Sequence, residues 1–283
     1  WIGSLQFIAV DEAQDLDDSQ HRLLLELLRR APSCRLLLVG DPDQAIYGFR
    51  RASPRFLLHP QHYFGPRCDT VTLSANHRSA QAIVETAQAI MRVAADPQSP
   101  CHTLQAARQE QHPAVRHLLA DSQDDEARRI FEEVRTLLAL GLPPTEIAIL
   151  VRTHAQMSAL THEAQRWGVK TYTPPLRERS DLSLEVAPPK AAVTLLTIHQ
   201  AKGCEWSSVF ISGCQAGLLP HPLAKSHEEY DEERRLLYVA VSRAKQLLWL
   251  CRYGPPSPFL TPPAFGNGRW SRLRAWFRNG AAE

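Results

Sequence analysis

Short apolar runs alternate along this chain with segments whose apolar residues recur at helical spacing, and this alternation restricts the fold more than any other feature. The first series holds an apolar run at 7–10, an amphipathic stretch at 19–30 and a second apolar run at 35–39. Such runs predict buried strands, and the stretch between them predicts a helix. Strands that alternate with helices are typical of a parallel sheet, so the sequence predicts the α/β fold class.

The alternation continues through the rest of the chain. Further strands are predicted at 70–73, 115–119, 147–151, 193–198, 208–212 and 247–250, and further helices at 80–94, 127–138, 157–167 and from Asp231 onward. Gly141, followed by two prolines, ends the helix at 127–138.

The predicted elements divide into two α/β units. We expect the first unit to span 1–69 and the second to span 70–283. The segment 172–190 is rich in proline and charge, which suits no core, so it is predicted to be a short linker within the second unit.

Composition sets broad limits on the class of protein. With 283 residues, 44% of them hydrophobic and 22% charged, the chain is expected to be a soluble globular protein. The net charge of +2 does not by itself demand nucleic acid, so any DNA surface must come from local placement of charge. The six cysteines form no CxxC pair, which disfavours a zinc ribbon or a disulfide framework and favours reduced thiols in the cytoplasm.

The lengths of the apolar runs and the first residues bear on localisation. No apolar run approaches the ~20 residues of a membrane span, so we expect a cytoplasmic protein with no membrane partner. The first residue is Trp1, with neither a methionine nor a basic leader before it, and we expect the sequence to start within a longer protein.

Two adjacent carboxylates, Asp11 and Glu12, follow the first predicted strand. That position is the carboxyl edge of the sheet, where α/β proteins bind nucleotides. One carboxylate can hold Mg²⁺ while the next accepts a proton from an attacking water, so Asp11 is the candidate metal ligand and Glu12 the candidate base. The alternative is an acidic loop or helix start, where Asp and Glu are favoured by the helix dipole.

A polar and aromatic loop, residues 40–50, follows the second predicted strand. Gln44 is a candidate for contact with a γ-phosphate or the attacking water, and Tyr47 or Phe49 can stack on a base, a contact worth ~1 to 3 kcal/mol. Arg50 is a candidate for a backbone phosphate. The alternative is a turn whose aromatic side chains enter the core.

The two segments together, DEAQD at 11–15 and GDPDQAIYGFR at 40–50, resemble motifs II and III of superfamily 1 helicases of the UvrD/Rep/PcrA type. Later segments carry the same resemblance in the same order. LSANHRS at 73–79 is similar to motif IV, TLLTIHQAKGCEW at 194–206 to motif V, and EERRLLYVAVSRAK at 232–245 to motif VI. The resemblance covers about 7–260.

The resemblance assigns roles to residues of these later motifs. It places Arg78 and the arginine finger Arg243 at the γ-phosphate, and Thr197 and His199 at the DNA backbone. It also places four residues at the nucleotide. His77 stands where the family has a tyrosine that stacks on adenine, and Glu205 meets the ribose. Lys202 and Gly203 shape the turn of motif V. Because His77 replaces this tyrosine, we expect weaker stacking on the purine.

The family likeness also implies a fold and an activity. It implies two RecA-like domains of the P-loop NTPase type, the first of them incomplete in this sequence. The activity is an ATP-dependent 3′ to 5′ DNA helicase or translocase that uses ATP and Mg²⁺. Its partners are single-stranded DNA, duplex junctions, and repair or replication proteins.

The sequence departs from the family in two places. It has no Gly-Lys-Ser or Gly-Lys-Thr, so the phosphate-binding loop, motif I, is absent and the chain alone is expected to bind ATP poorly. Truncation is the simplest explanation, and the alternatives are a non-hydrolysing DNA- or protein-binding module or one half of a split helicase. The linker at 172–190 stands where the family usually has a helical insertion, so translocation is expected to be better preserved than regulated strand separation.

The C-terminal segment 269–278 interleaves arginine with tryptophan and phenylalanine. Such a segment can track single-stranded DNA or dock a partner. A terminal helix that packs its aromatic side chains on the core is at least as good an interpretation.

Overall fold

The computed structural model describes residues 2–92, 104–107, 115–174 and 191–260. The chain divides into two compact units, Trp1–Leu73 and Ser74–Glu283. Apart from its first three residues, the linker predicted at 172–190 lies outside the described residues, as does the segment 269–278.

The first unit is built on two parallel strands joined by a helix. Its elements are β1 (Phe7–Val10), α1 (Asp18–Arg30), β2 (Arg35–Leu38), α2 (Arg55–Leu58) and α3 (Pro60–Phe64). β1 pairs with β2 in parallel, with Val10 opposite Leu38. The start of α1 is fixed by a capping box, in which the Asp17 carboxylate accepts from the Ser19 and Gln20 backbone N–H groups.

The second unit contains the main sheet. Its elements are β3 (Ala75–Asn76), α4 (Gln81–Arg92), β4 (Gln105–Ala106), β5 (Val115–Leu119), α5 (Gln123–Ala139), β6 (Ile147–Val151), α6 (Met157–Arg166), β7 (Thr171–Tyr172), β8 (Val193–Thr197), β9 (Trp206–Ile211), α7 (His227–Ser242) and β10 (Ala244–Arg252). Six strands form one sheet in the order β5-β10-β9-β6-β8-β7, and every neighbouring pair is parallel. The α/β class is therefore confirmed, and the sheet is consistent with a RecA-like domain.

The core of the second unit lies at the centre of this sheet. Every residue of β6 and β8 is buried, which explains why both strands read as continuous apolar runs. On α5, Ile130, Phe131 and Val134 are fully buried against the sheet. The helix ends where Gly141 adopts a φ of 91°, a left-handed conformation that favours glycine.

Two sequence predictions are corrected by the structure. No strand forms at 70–73: Val71 and Leu73 are 83% and 81% exposed, and no described strand pairs with this segment. An alternating pattern alone does not make a strand, because the ladder needs a partner edge. The helix predicted from Asp231 begins earlier, at His227, because Ser226 and Glu229 form a capping box at its start.

Candidate functional site

The carboxyl edge of the two-stranded sheet brings together the two polar segments of the first unit. Asp11 follows β1 and Gly40 follows β2, and parallel strands end at the same edge. The backbone N–H of Ala13 donates to the carbonyl oxygen of Val39 at 2.9 Å, so the turn after β1 is fastened to the end of β2. The candidate carboxylates and the candidate loop therefore lie side by side.

The carboxylate pair occupies a tight turn on the surface. Asp11 and Glu12 are both exposed, and Asp11 Oδ1 accepts from the Glu12 backbone N–H at 2.9 Å. Glu12 adopts φ 52° and ψ 41°, in the left-handed region that non-glycine residues seldom occupy. Backbone strain of this kind persists only where neighbouring contacts hold it, and it is common at functional sites.

Gln14 connects the carboxylates to the loop, and the sequence predictions missed it. The side chain is 1% exposed. Its Oε1 accepts from the Asp41 backbone N–H at 3.0 Å, and its Nε2 donates to the Glu12 carboxylate. Gly40 leaves room for this arrangement, since a Cβ there would overlap Gln14 Oε1 and lie 3.0 Å from the Ala13 nitrogen.

The loop at 40–50 begins with an Asx-type turn. Asp41 caps a short 3₁₀ helix, Pro42–Gln44, by accepting from the Asp43 backbone N–H at 3.0 Å. Gln44 Nε2 donates to Asp41 Oδ2 at 2.9 Å. Asp41 therefore has two roles. Its side chain holds the Gln44 amide that is predicted to meet the phosphate, and its backbone N–H donates to the Gln14 side chain.

The end of the loop presents an aromatic and cationic surface. Phe49 is 67% exposed and does not enter the core, whereas Ile46 is fully buried. The Tyr47 and Phe49 rings meet edge to face with centroids 5.9 Å apart. The Arg50 guanidinium lies 4.9 Å from the Tyr47 centroid and 5.5 Å from the Phe49 centroid. An exposed ring beside a cation suits stacking on a nucleobase and contact with a phosphate.

In the second unit, Arg78 and Glu205 contact each other directly. Arg78 Nε lies 2.6 Å from Glu205 Oε2, and Lys245 Nζ lies 3.1 Å from Glu205 Oε1. The sheet register brings Glu205 beside Lys245, because Trp206 and Ala244 are opposite each other in β9 and β10. Lys245 lowers the pKa of the Glu205 carboxyl below its usual value by a hydrogen bond, with Arg78 as a further cause.

The turn that carries Arg78 is held by residues to which the sequence reading gave no role. Asn76 Oδ1 accepts from the backbone N–H groups of Arg78 and Ser79 at 3.0 and 2.8 Å. The Ser79 hydroxyl donates to the Ala244 carbonyl at 2.7 Å, which joins this turn to the start of β10. His77 is exposed at the same turn.

The Arg243 side chain points into the protein. It is 2% exposed, its Nε donates to the Val239 carbonyl at 3.1 Å, and its terminal nitrogens donate to the Cys204 carbonyl at 3.1 Å and the Ser242 hydroxyl at 2.9 Å. Its backbone carbonyl accepts from Trp206 N–H at 3.0 Å. The guanidinium therefore fastens the end of α7 to the turn before β9.

The last residue of β8 and the turn after it hold the remaining predicted residues. Thr197 is 6% exposed, and its hydroxyl bonds the Gln200 side chain at 3.0 Å. His199 and Lys202 are partly buried, and Gly203 adopts a φ of 84° that favours glycine. Of the two predicted DNA contacts here, His199 is thus the more accessible.

The carboxylates fit a metal ion that arrives with phosphate. In the parts of the chain that the structure describes, no three His, Cys, Asp or Glu side chains converge to hold a metal. Mg²⁺ beside a nucleotide needs only one or two carboxylates, since phosphate and water oxygens fill its other positions. Asp11 offers one such carboxylate next to Glu12.

Two protein-family models match the chain. The UvrD-like helicase C-terminal domain matches residues 71–173 and 176–253, and the UvrD/REP helicase N-terminal domain matches residues 1–65. The chain belongs to the UvrD-like helicase family. The family prediction made from the motifs is thereby confirmed.

Curated relatives of this UvrD-like chain are DNA helicases by description. ATP-dependent DNA helicase UvrD2 of Mycobacterium tuberculosis is 28% identical over 359 residues, covering 96% of this chain and 50% of the relative. A probable DNA helicase of Mycoplasma pneumoniae is 30% identical, covering 91% and 47%. DNA helicase IV of Escherichia coli is 30% identical, covering 92% and 36%. The chain thus spans about half the length of these relatives, or less.

A solved structure described as the C-terminal domain of a possible DNA helicase from Lactobacillus plantarum is 19% identical to the chain. It has a TM-score of 0.46 and covers 66% of this chain and 92% of that one. Among the described helices of the UvrD-like chain, none has the length and apolar character needed to cross a bilayer.

Proposed function

We propose that the complete protein is an ATP-driven DNA helicase or translocase that moves 3′ to 5′ on single-stranded DNA. The observation that carries this proposal is the junction at the carboxyl edge of β1 and β2. There a carboxylate turn and an exposed aromatic loop are joined through one buried side chain, Gln14. The match to the UvrD-like helicase family supports the same activity. The relatives described as DNA helicases support DNA as the substrate.

The carboxylate turn provides the chemistry of hydrolysis. Asp11 holds Mg²⁺, which neutralises charge on the phosphates when it is bound. Glu12 accepts a proton from the water that attacks the γ-phosphate, and Gln44 orients that water. Gln44 and Glu12 are held by one network through Asp41 and Gln14, so a change in the loop reaches both.

The second unit supplies positive charge to the transferring phosphate. Arg78 reaches the γ-phosphate from a turn anchored by Asn76 and Ser79, and Glu205 meets the ribose. Arg243 acts as the arginine finger and exchanges its present carbonyl partners for phosphate oxygens. Lys202 and Gly203 shape the adjoining turn, and His77 is the candidate adenine contact.

DNA is contacted by aromatic stacking and by phosphate-binding groups. Phe49 and Tyr47 stack on bases, and Arg50 meets the backbone. Thr197 and His199 contact the backbone from the second unit. Conformational changes that follow ATP binding and hydrolysis then move the single-stranded DNA past these side chains.

The proposed motor needs a phosphate-binding loop, and the 283 residues contain no Gly-Lys-Ser or Gly-Lys-Thr sequence. We assign residues 1–69 to part of a first RecA-like domain and 70–283 to the second, with 172–190 as a short linker in place of the family's insertion. The loop comes from elsewhere on the same polypeptide or from another chain. Single-stranded DNA, duplex junctions and repair or replication proteins are the proposed partners.

DNA-stimulated ATP hydrolysis by the complete protein tests this proposal. Glu12→Gln removes the base and Arg243→Ala removes the finger, and each is expected to lower kcat by at least ~10²-fold. Glu26→Gln, on the exposed face of α1, is a control that keeps full turnover. Turnover that is unchanged in both test variants would show that these roles are wrong. A complete protein that binds DNA without hydrolysing ATP would favour the non-hydrolysing module instead.

A further inference from the structure

Gln14 is a buried amide with two partners on different segments. Its oxygen accepts a hydrogen bond from the Asp41 backbone N–H, a group that can only donate. This fixes the orientation of the amide, so its nitrogen faces the Glu12 carboxylate and donates to it. At 1% exposure, water does not replace either partner without a rearrangement of the turn.

The backbone around Gln14 is shaped to keep this bridge. Glu12 is held in a left-handed conformation, and a side chain at Gly40 would overlap the Gln14 oxygen. The neighbouring Ala13 is fully buried and bonded to Val39. The position of the Glu12 carboxylate is therefore set from the segment after β2 as well as from its own strand.

We propose that Gln14 is a positioning residue that aligns Glu12 and links it to the loop at 40–50. This inference rests on the proposed function, in which Glu12 is the base. Gln14 does not touch substrate. It holds the carboxylate at the attacking water and passes to it any displacement of Asp41, the residue on which Gln44 is also held.

Two substitutions separate the two hydrogen bonds of Gln14. Gln14→Met has a similar length and removes both bonds. Gln14→Glu keeps an acceptor for the Asp41 N–H but removes the donor to Glu12 and places one carboxylate against another. Gln20→Met is the matched control, because Gln20 also accepts a backbone N–H, from Asp17 at 3.0 Å, but does not reach Glu12.

The experiment measures DNA-stimulated ATPase of the complete protein in a double-mutant cycle with Glu12→Gln. Gln14→Met is expected to lower kcat about 10²-fold, with KM for ATP and Kd for single-stranded DNA unchanged, since misplacement of a reacting group acts on the chemical step. In the Glu12→Gln background it is expected to cause no further loss, because both changes act on one group. Gln14→Glu is expected to be at least as damaging, and Gln20→Met to keep full turnover.

Hydrogen exchange of the Asp41 amide gives a readout that does not depend on turnover. Exchange is expected to accelerate in Gln14→Met and to stay slow in Gln14→Glu and Gln20→Met. If Gln14→Met does not fold, Gln14→Glu carries the test alone, because it retains the Asp41 bond.

Three results would overturn the inference. Equal losses of kcat from Gln14→Met with and without Glu12 would show that Gln14 acts independently of the base. Full activity of Gln14→Glu would show that only the anchoring of Asp41 matters. If Glu12→Gln itself left turnover unchanged, the base assignment of the proposed function would fail, and this inference with it.

Discussion

His117 is expected to make the stability of the second unit depend on pH. It lies in β5 opposite Leu250 of β10, and burial lowers its pKa from an ordinary 6.5 to about 4, with Arg252 as a smaller cause. Above the ordinary pKa the ring is neutral in both the folded and the unfolded state. As the pH falls below 6.5, the unfolded chain binds a proton that the folded chain does not bind. The free energy of unfolding therefore decreases until the pH reaches the pKa of His117 in the folded state.

The size of this loss follows from the two pKa values. A difference between 6.5 and about 4 corresponds to roughly 3 kcal/mol at 1.36 kcal/mol per pH unit. From about pH 7.5 to about pH 4.5, His117 should account for about 2 to 3 kcal/mol of lost unfolding free energy. The replacement His117→Gln removes this titration.

Urea denaturation at several pH values measures the effect, with Trp249, which stacks on Phe210, as a fluorescent reporter in the same unit. Carboxyl groups of the protein also titrate in this pH range. The informative quantity is therefore the difference between the wild type and His117→Gln in the slope of unfolding free energy against pH. The exposed His154, changed to Gln, is the control and should follow the wild type. Parallel stability curves for the wild type and His117→Gln would refute the reasoning.

Two other predictions concern the buried charges of the second unit. Burial raises the pKa of Glu126, which accepts from the Ser212 hydroxyl at 2.6 Å, so its contribution to stability is present at acidic pH and is lost as the pH rises through the raised value. Glu126→Gln should therefore flatten the fall in melting temperature that begins as the pH rises above the ordinary carboxyl pKa of 4.5, and an unchanged profile would contradict this. Arg152→Met should lower the unfolding free energy by about 3 to 5 kcal/mol in a denaturant titration, because it leaves the buried Glu233 carboxylate without its cation. The matched change Arg29→Met removes an exposed pair and should have little effect, and equal losses in both variants would refute the distinction.

The fold was predictable where local pattern and environment agree. β6 and β8 are buried along their whole length, so continuous apolar runs located them, and the apolar face of α5 meets the sheet, so helical periodicity located that helix. The start of α7 also has a local signal, since Ser226 and Glu229 have the spacing of a capping box. The segment 70–73 has the pattern of a strand, but pairing depends on a neighbouring edge that a local pattern does not reveal.

The candidate site was predictable in part. Asp11 and the loop after Gly40 follow adjacent parallel strands, which places both at one edge. The link through Gln14 was not predictable, because its partner Asp41 lies far along the sequence and the bond depends on side-chain orientation. The pairing of Arg78 with Glu205 and Lys245 likewise arises from the register of β9 and β10 rather than from any local spacing.

ATP-dependent displacement of streptavidin from biotinylated single-stranded DNA tests the central claim most directly. A motor that moves 3′ to 5′ displaces streptavidin from the 5′ end, requires ATP to do so, and loses the activity in Glu12→Gln while retaining DNA binding. This is the result we predict for the complete protein. Displacement only from the 3′ end, or none at either end in the presence of ATP, would contradict it.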